Sequence, residues 1–384
     1  MTDSAPVPAL DLQAEYRAIR AEIEPAVLGV LASGRYVGGP EVELFEAGFA
    51  DFCGAAHGVA VSSGTDALRF ALMAAGLRPG DEVVTSPFTF IGTTEAVTQA
   101  GGRPVFADID PLTFTLDPGR AAAVVTARTR ALLPVHLYGQ TADMAGLLAL
   151  AEARGLFVVE DACQAHGASE GGRRAGSLGI AAAFSFYPTK NLGGCGEGGL
   201  VTTGSAAVAD RIRRLRDHGQ SAKYVHAEEG YNGRLDAIQC AILRVKLAHL
   251  EDWNRRRRAL AALYRETLAA AEGHGWLRLP AVRPGSEHVY HQFAVRVVAG
   301  AAGAAGGRDR VRAALQAEGI ETGIHYPVPL HRQPCYAALG LGEGAFPESE
   351  RAAREVLTLP LHPHLTEAQV ERVAAALARE LARL

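Results

Sequence analysis

Short apolar runs recur at intervals between Asp51 and Gly204: 83–90 (VVTSPFTF), 104–109 (PVFADI), 131–138 (ALLPVHLY), 156–161 (LFVVED), 181–187 (AAAFSFY) and 199–203 (GLVTT). Longer segments of helical period separate them, and the alternation predicts βα units. The runs are nearly continuous in apolar residues, the pattern of strands covered on both faces in a largely parallel sheet. This half of the chain therefore reads as an α/β domain.

After Gly204 the pattern changes. Residues 206–217 and the Arg-rich 236–272 read as helices, the second long enough to bridge two domains. A strand at 292–298 (QFAVRVV), a helix at 308–318, a strand at 320–326 and a closing helix at 366–382 describe a smaller α+β unit. The expected division is thus a large α/β domain over 1–245, with a helical N-terminal segment, and a small C-terminal α+β domain over 246–384. The Ala/Gly run 299–307 (AGAAGAAGG) reads as a surface loop.

Composition narrows the function classes. The chain has 384 residues, 48% of them apolar, and a formal net charge of −4, which gives no electrostatic reason for nucleic acid or anionic membrane as a partner. The N-terminus lacks the basic and apolar regions of a signal peptide, and no run is long enough to span a bilayer, so a cytoplasmic protein is expected. The five cysteines are odd in number and widely spaced without a Cys-x-x-Cys pair, which predicts reduced thiols and no zinc site. The run 255–258 (RRRR) reads as a solvated helix face.

Of 38 basic residues only Lys190, Lys223 and Lys246 are lysine; the rest are arginine. A lysine kept within an apolar segment asks for chemistry that an always-protonated guanidinium cannot perform. Lys190 sits in 184–200 (FSFYPTKNLGGCGEGGL), where an apolar strand runs into a proline, the lysine and a glycine cluster. Desolvation there would lower its pKa and make the amine a nucleophile toward aldehydes. The lysine precedes the glycines, so the segment is not a P-loop.

Two further segments complete a constellation. The residues 62–66 (SSGTD) open a helix after an apolar run and fit either a phosphate cradle or a plain N-cap. The strand 156–161 ends in Glu160 and Asp161, which point to opposite faces; periodicity leaves open which one meets a ligand. A phosphate cradle, a carboxylate at a strand end and a desolvated lysine are the parts needed to hold pyridoxal phosphate (PLP) and tune its ring.

The stretches 61–66 (VSSGTD), 79–90 (PGDEVVTSPFTF), 158–168 (VVEDACQAHGA), 184–192 (FSFYPTKNL), 230–239 (GYNGRLDAIQ) and 325–331 (HYPVPLH) occur in the order found in the DegT/StrS sugar-nucleotide aminotransferases. The chain resembles that family over nearly its full length. The resemblance implies a fold-type-I architecture, with Lys190 as the Schiff-base lysine and proton shuttle and Asp161 paired with the pyridine nitrogen. It further implies Gln164 at the ring hydroxyl, Phe90 stacked on the ring, and Thr65, the Asp66 backbone and Ser185 at the phosphate. Asn232 would reach the phosphate of a neighbouring subunit, making a homodimer part of the site. Tyr326 and His331 would contact substrate.

Gly233 departs from the larger residue many relatives carry. Dehydratase relatives replace the lysine with histidine, so Lys190 points to transamination. His166 reads as a packing or ring-flanking residue, and Cys163 and Cys195 as small apolar fillers; no metal ligands are assigned. The function implied is transfer of an amino group from glutamate to a nucleotide-linked keto sugar, with 322–331 more like relatives that aminate carbon 3. The rivals are a 4-keto-sugar aminotransferase, a sugar dehydratase and a silent PLP-binding regulator.

Overall fold

The computed structural model describes residues 5–298 and 307–384. Its central sheet has seven strands: β1 (His57–Val61), β2 (Glu82–Thr85), β3 (Arg103–Phe106), β4 (Thr129–Leu132), β5 (Phe157–Asp161), β6 (Ala181–Ser185) and β7 (Gly199–Thr203). They lie in the order β1-β7-β6-β5-β4-β2-β3. Pairing is parallel from β6 through β5, β4 and β2 to β3, and antiparallel on both sides of β7. The expected mostly parallel α/β sheet is therefore present.

The run 199–203 is matched by its strand to the residue, whereas the other strands are shorter than their runs, and for 83–90 and 181–187 the excess is loop that reaches the cavity described below. The run 83–90 leaves the sheet after Thr85, where Pro87 has no N–H to donate to a ladder, and the freed segment carries Phe90 outward. The run 181–187 leaves it after Ser185, three residues before the Pro188 turn.

The helix Ala237–Gly273 spans residue 245 without a break. Its first half packs Cys240, Leu243 and Leu250 into the core beneath the sheet, and its second half packs Leu260, Tyr264 and Leu268 into a separate core with Phe293, Leu357 and Val373. The C-terminal part holds the strand Phe293–Val297, paired on one edge with Leu277–Arg278 and on the other with Val356–Leu359, and the helices Gly307–Ala317, Pro347–Glu355 and Glu367–Leu381. The expected strand over 320–326 is not formed. Gly323 lies inside it and the prolines at 327 and 329 bar its extension, and only Ile320 and Gly323 make single bridges, to Val7 and Thr358. The strand Val356–Leu359, too short to stand out between helical segments, takes the sheet position instead. The Ala/Gly loop at 299–306 lies outside the described residues.

Glu160 is 1% exposed and organises the underside of the sheet. Its carboxylate accepts from the N–H groups of Gly176, Leu178 and Gly179 at 3.0, 2.8 and 2.8 Å and from His136 Nε2 at 3.0 Å. His136 Nδ1 accepts from the Ala142 N–H at 3.1 Å, which assigns the proton to Nε2. Burial alone would raise the Glu160 pKa, but these hydrogen bonds outweigh it and hold the carboxyl below its ordinary value. Removing the charge with Glu160→Gln should cost about 2–4 kcal/mol in denaturant unfolding, because buried donors lose their acceptor. A depressed folded-state pKa means that the stability Glu160 supplies is full above its unfolded pKa of about 4.3 and is lost as pH falls through the lower folded value. Wild type should therefore lose stability more steeply than the variant in that acid window.

Candidate active site

At the carboxyl ends of β5 and β6 the fold encloses a cavity of about 700 Å³, within the usual range for small-molecule sites. Asp161 is the carboxylate that faces it, which settles what alternation left open. Its Oδ2 accepts from Thr93 Oγ1 at 2.7 Å and its Oδ1 from the Cys163 N–H at 3.2 Å, so the group is fixed on two sides while it fronts the cavity.

Lys190 follows β6 on a turn closed by its own N–H to the Tyr187 carbonyl at 2.9 Å. The side chain is half-buried on the cavity wall, and its ammonium has no hydrogen bond or ion pair among the described residues. Burial pushes its pKa down, against smaller opposing effects from Cys163 and Asp161. An amine in that setting is a better nucleophile at neutral pH than a surface lysine.

The helix Gly64–Ala75 points its N-terminus into the same space. Ser63 caps it by accepting the Asp66 N–H at 3.1 Å, so the SSGTD segment is an N-cap as well as a cavity wall. First-turn N–H groups have no acceptor within their own helix, and those of Gly64 and Thr65 border the cavity beside the Ser63, Thr65 and Ser185 hydroxyls. Gly64 is required by close approach: a Cβ there would lie 2.6 Å from that of Ser185 and 3.0 Å from Cys163 Sγ. Asp66 does not border the cavity; its N–H is taken by Ser63 and its carboxylate by Ser62 and Arg69.

Phe90, an aromatic side chain 56% exposed, stands at the cavity beside Tyr326, with ring centroids 6.2 Å apart. Gln164 is held by two contacts: its Oε1 accepts from the Tyr138 N–H at 2.7 Å, and its Nε2 donates to Tyr326 Oη at 3.2 Å. His291, Gln292 and His325 also border the cavity and were not anticipated. The signal available was the His-x-x-His spacing at 288–291, just before a strand. Thr93, too, was missed; only a threonine pair one turn after Phe90 marked it.

Besides Asp66, two more expected residues lie elsewhere. His331 is 2% exposed, bonded through Nε2 to Glu350 at 3.0 Å and packed on Phe346, and it does not border the cavity. Asn232 is exposed and outside the cavity of its own chain. The adjacent Gly233 has a physical reason for its size, since a Cβ would lie 2.7 Å from the Phe70 ring. His166 is fully buried against Phe49, Phe184 and Phe186, donates to the Ser185 carbonyl at 2.9 Å, and has its pKa pushed down to about 3 by burial. It is a neutral packing residue. Burial also raises the Cys163 thiol well above its usual range, so it does not compete as a nucleophile.

A strand-end carboxylate, an unpartnered amine, a helix N-terminus among hydroxyls and an exposed aromatic ring meet in one cavity. The model of the DegT/DnrJ/EryC1/StrS aminotransferase family matches residues 17–378, and the chain belongs to that family. It is 49% identical over 96% of its length to 94% of a dTDP-3-amino-3,4,6-trideoxy-alpha-D-glucose transaminase from Streptomyces venezuelae. It is 42% identical over 99% of its length to a UDP-N-acetyl-3-dehydro-alpha-D-glucosamine 3-aminotransferase from Acidithiobacillus ferrooxidans, covering 100% of that chain. Among solved structures it is similar to S. venezuelae DesV in complex with a ketimine intermediate, with a TM-score of 0.94, 48% identity and 99% of both chains covered. No helix of the described residues is long and apolar enough to cross a membrane.

Proposed function

We propose that the protein transfers the amino group of glutamate to carbon 3 of a nucleotide-linked 3-keto sugar, using PLP held in this cavity. The observation that carries the reading is the unpartnered, half-buried Lys190 amine sharing one cavity with Asp161. Net, glutamate becomes 2-oxoglutarate and the ketone becomes an amine. The regiochemistry is supported by the two relatives above, both named for amination at carbon 3.

The residues fit the cofactor. Its phosphate would meet the Gly64–Thr65 N–H groups and the Ser63, Thr65 and Ser185 hydroxyls, a cradle in which a Cβ at position 64 would strike Ser185. Asp161 would hold the proton on the pyridine nitrogen, Gln164 the ring hydroxyl and Phe90 a ring face. When bound, PLP supplies a reactive carbonyl and an electron-withdrawing ring that stabilises negative charge at the neighbouring carbon. Lys190 Nζ takes the proton from the donor's α-carbon and delivers one to carbon 3 of the sugar. Tyr326, tied to Gln164, borders the path of the incoming sugar. We place the boundary between the two domains near residue 245, with the enzyme acting in the cytoplasm.

We further propose that the enzyme works as a homodimer with shared sites. Leu28, Leu31, Tyr36, Val37 and Leu44 are 46–61% exposed along one stretch of chain, an apolar surface suited to burial against a second copy. Asn232, exposed and away from its own cavity, would serve the partner's phosphate. Lys190→Ala and Asn232→Ala should each impair turnover alone, and mixing the two chains by unfolding and refolding should restore part of it. Recovery no greater than the sum of the separate variants rules out the shared site.

Absorbance tests the cofactor half of the reading. Wild type with PLP should develop a visible band that L-glutamate bleaches, with one equivalent of 2-oxoglutarate released per site. A protein that binds PLP without releasing the keto acid is not a transaminase.

A further inference from the structure

Lysine is so scarce in this chain that a second buried one calls for explanation. Lys246 is 4% exposed, on the helix Ala237–Gly273. Its ammonium donates to the Gly193 carbonyl at 2.7 Å and pairs with Glu15 Oε1 at 2.6 Å, Glu15 being itself 8% exposed on the first helix, Leu12–Ser33. Gly193 is the third residue after Lys190. Its backbone is pressed onto Pro188, whose Cα a Cβ would approach to 3.0 Å, and the next N–H, of Gly194, bonds the Phe186 carbonyl at 2.7 Å. Segment 186–194, which presents Lys190, is thus a closed turn, and Lys246 grips its far end.

Lys246 belongs to a row. Gln239, Lys246 and Asn254 stand about two helical turns apart, on one face of the helix. Gln239 Oε1 accepts from the Cys195 N–H at 2.8 Å. Asn254 accepts from Asn191 Nδ2 at 2.9 Å and donates to the His166 carbonyl at 2.8 Å. The row therefore ties the backbone after Lys190 and the backbone after Asp161 to one rigid rod. An arginine at 246 would bring a broad planar fork where the site has room for a compact ammonium between one carbonyl and one carboxylate.

We propose that Lys246, balanced by Glu15, is a positioning residue for Lys190: by holding the Gly193 carbonyl it sets where the Lys190 amine stands in the cavity. The inference rests on Lys190 being the reacting amine. Small misplacement of a reacting group is expensive in rate, so the pair acts on chemistry rather than on substrate affinity.

The test compares wild type, Lys246→Met and the double variant Lys246→Met/Glu15→Gln, which leaves no buried unpaired charge. In the full chain freed of PLP, reductive alkylation with acetaldehyde and cyanoborohydride is read by peptide mass spectrometry. The exposed Lys223 serves as the internal reference. In the PLP-loaded chain, single-turnover rates with L-glutamate are measured across donor concentration. Lys190 alkylation relative to Lys223 should depart from wild type by about 3-fold or more, because the amine's burial and protonation follow its place in the cavity, and the saturating rate should fall about 10-fold or more with little change in half-saturation. A folded double variant with wild-type Lys190 alkylation overturns the proposal. So does a double variant that loses its fold, which would make the pair a stability element alone. If wild-type Lys190 is alkylated normally yet PLP-loaded protein never reacts with glutamate, the donor assignment fails while the alkylation comparison still decides the positioning role.

Discussion

Lys190→Ala should lower amino transfer by about 10⁴-fold or more while the protein folds and binds both PLP and sugar nucleotide. The amine makes no contact among the described residues that the fold would miss, so its loss should leave thermal unfolding near wild type. Lys190→Arg should be as inactive as the alanine variant, because a guanidinium stays protonated and can neither attack a carbonyl nor accept a proton. Adding a small primary amine such as ethylamine should restore part of the activity to Lys190→Ala and none to Lys190→Arg, whose side chain still fills the space. Turnover, circular dichroism and PLP titration on the same preparations separate this loss from misfolding. Activity of Lys190→Ala within 10-fold of wild type would mean that another group moves the proton.

The second large effect belongs to Asp161. Asp161→Asn keeps the shape of the side chain and removes its charge, and turnover should fall about 10²–10³-fold, as when a preorganised electrostatic contact is removed from an active site. Its chain neighbour gives the contrast. Glu160→Gln, one residue earlier on the same strand but on the opposite face, should lower stability and leave the turnover of the folded fraction near wild type. Unfolding curves and turnover measured on both variants give opposite outcomes for adjacent carboxylates. Equal effects of the two substitutions on turnover would contradict the assignment of faces.

How much of this was legible beforehand differs by element. The strands β2, β4, β5 and β6 could be read because parallel strands covered on both faces are nearly continuous in apolar residues, and β7 stood out by the same burial although it pairs antiparallel. Where a strand stopped and the functional loop began could not, since 86–90 and 186–187 are as apolar as the strands before them. Alternation placed Glu160 and Asp161 on opposite faces but could not say which face held the cavity. That depends on Gly176, Leu178 and Gly179 folding back onto β5, a tertiary fact with no local signal. Lys190 was legible because lysine is rare here; His291 and His325 were not, because they reach the cavity from the C-terminal part. The strand expected at 320–326 failed where Gly323 within it and the prolines directly after it outweighed β-propensity. His331 carried a family position but lies buried against Glu350, a pairing that only the packing of the helix Pro347–Glu355 creates.

The most direct measurement supplies the PLP-loaded protein with ¹⁵N-labelled L-glutamate and either a nucleotide-linked 3-keto or 4-keto hexose, and locates the label in the product by NMR. The account predicts one labelled nitrogen on carbon 3 of the sugar, equimolar 2-oxoglutarate, and no product from the Lys190→Ala protein. Label on carbon 4, or sugar recovered without nitrogen while glutamate remains intact, would contradict it.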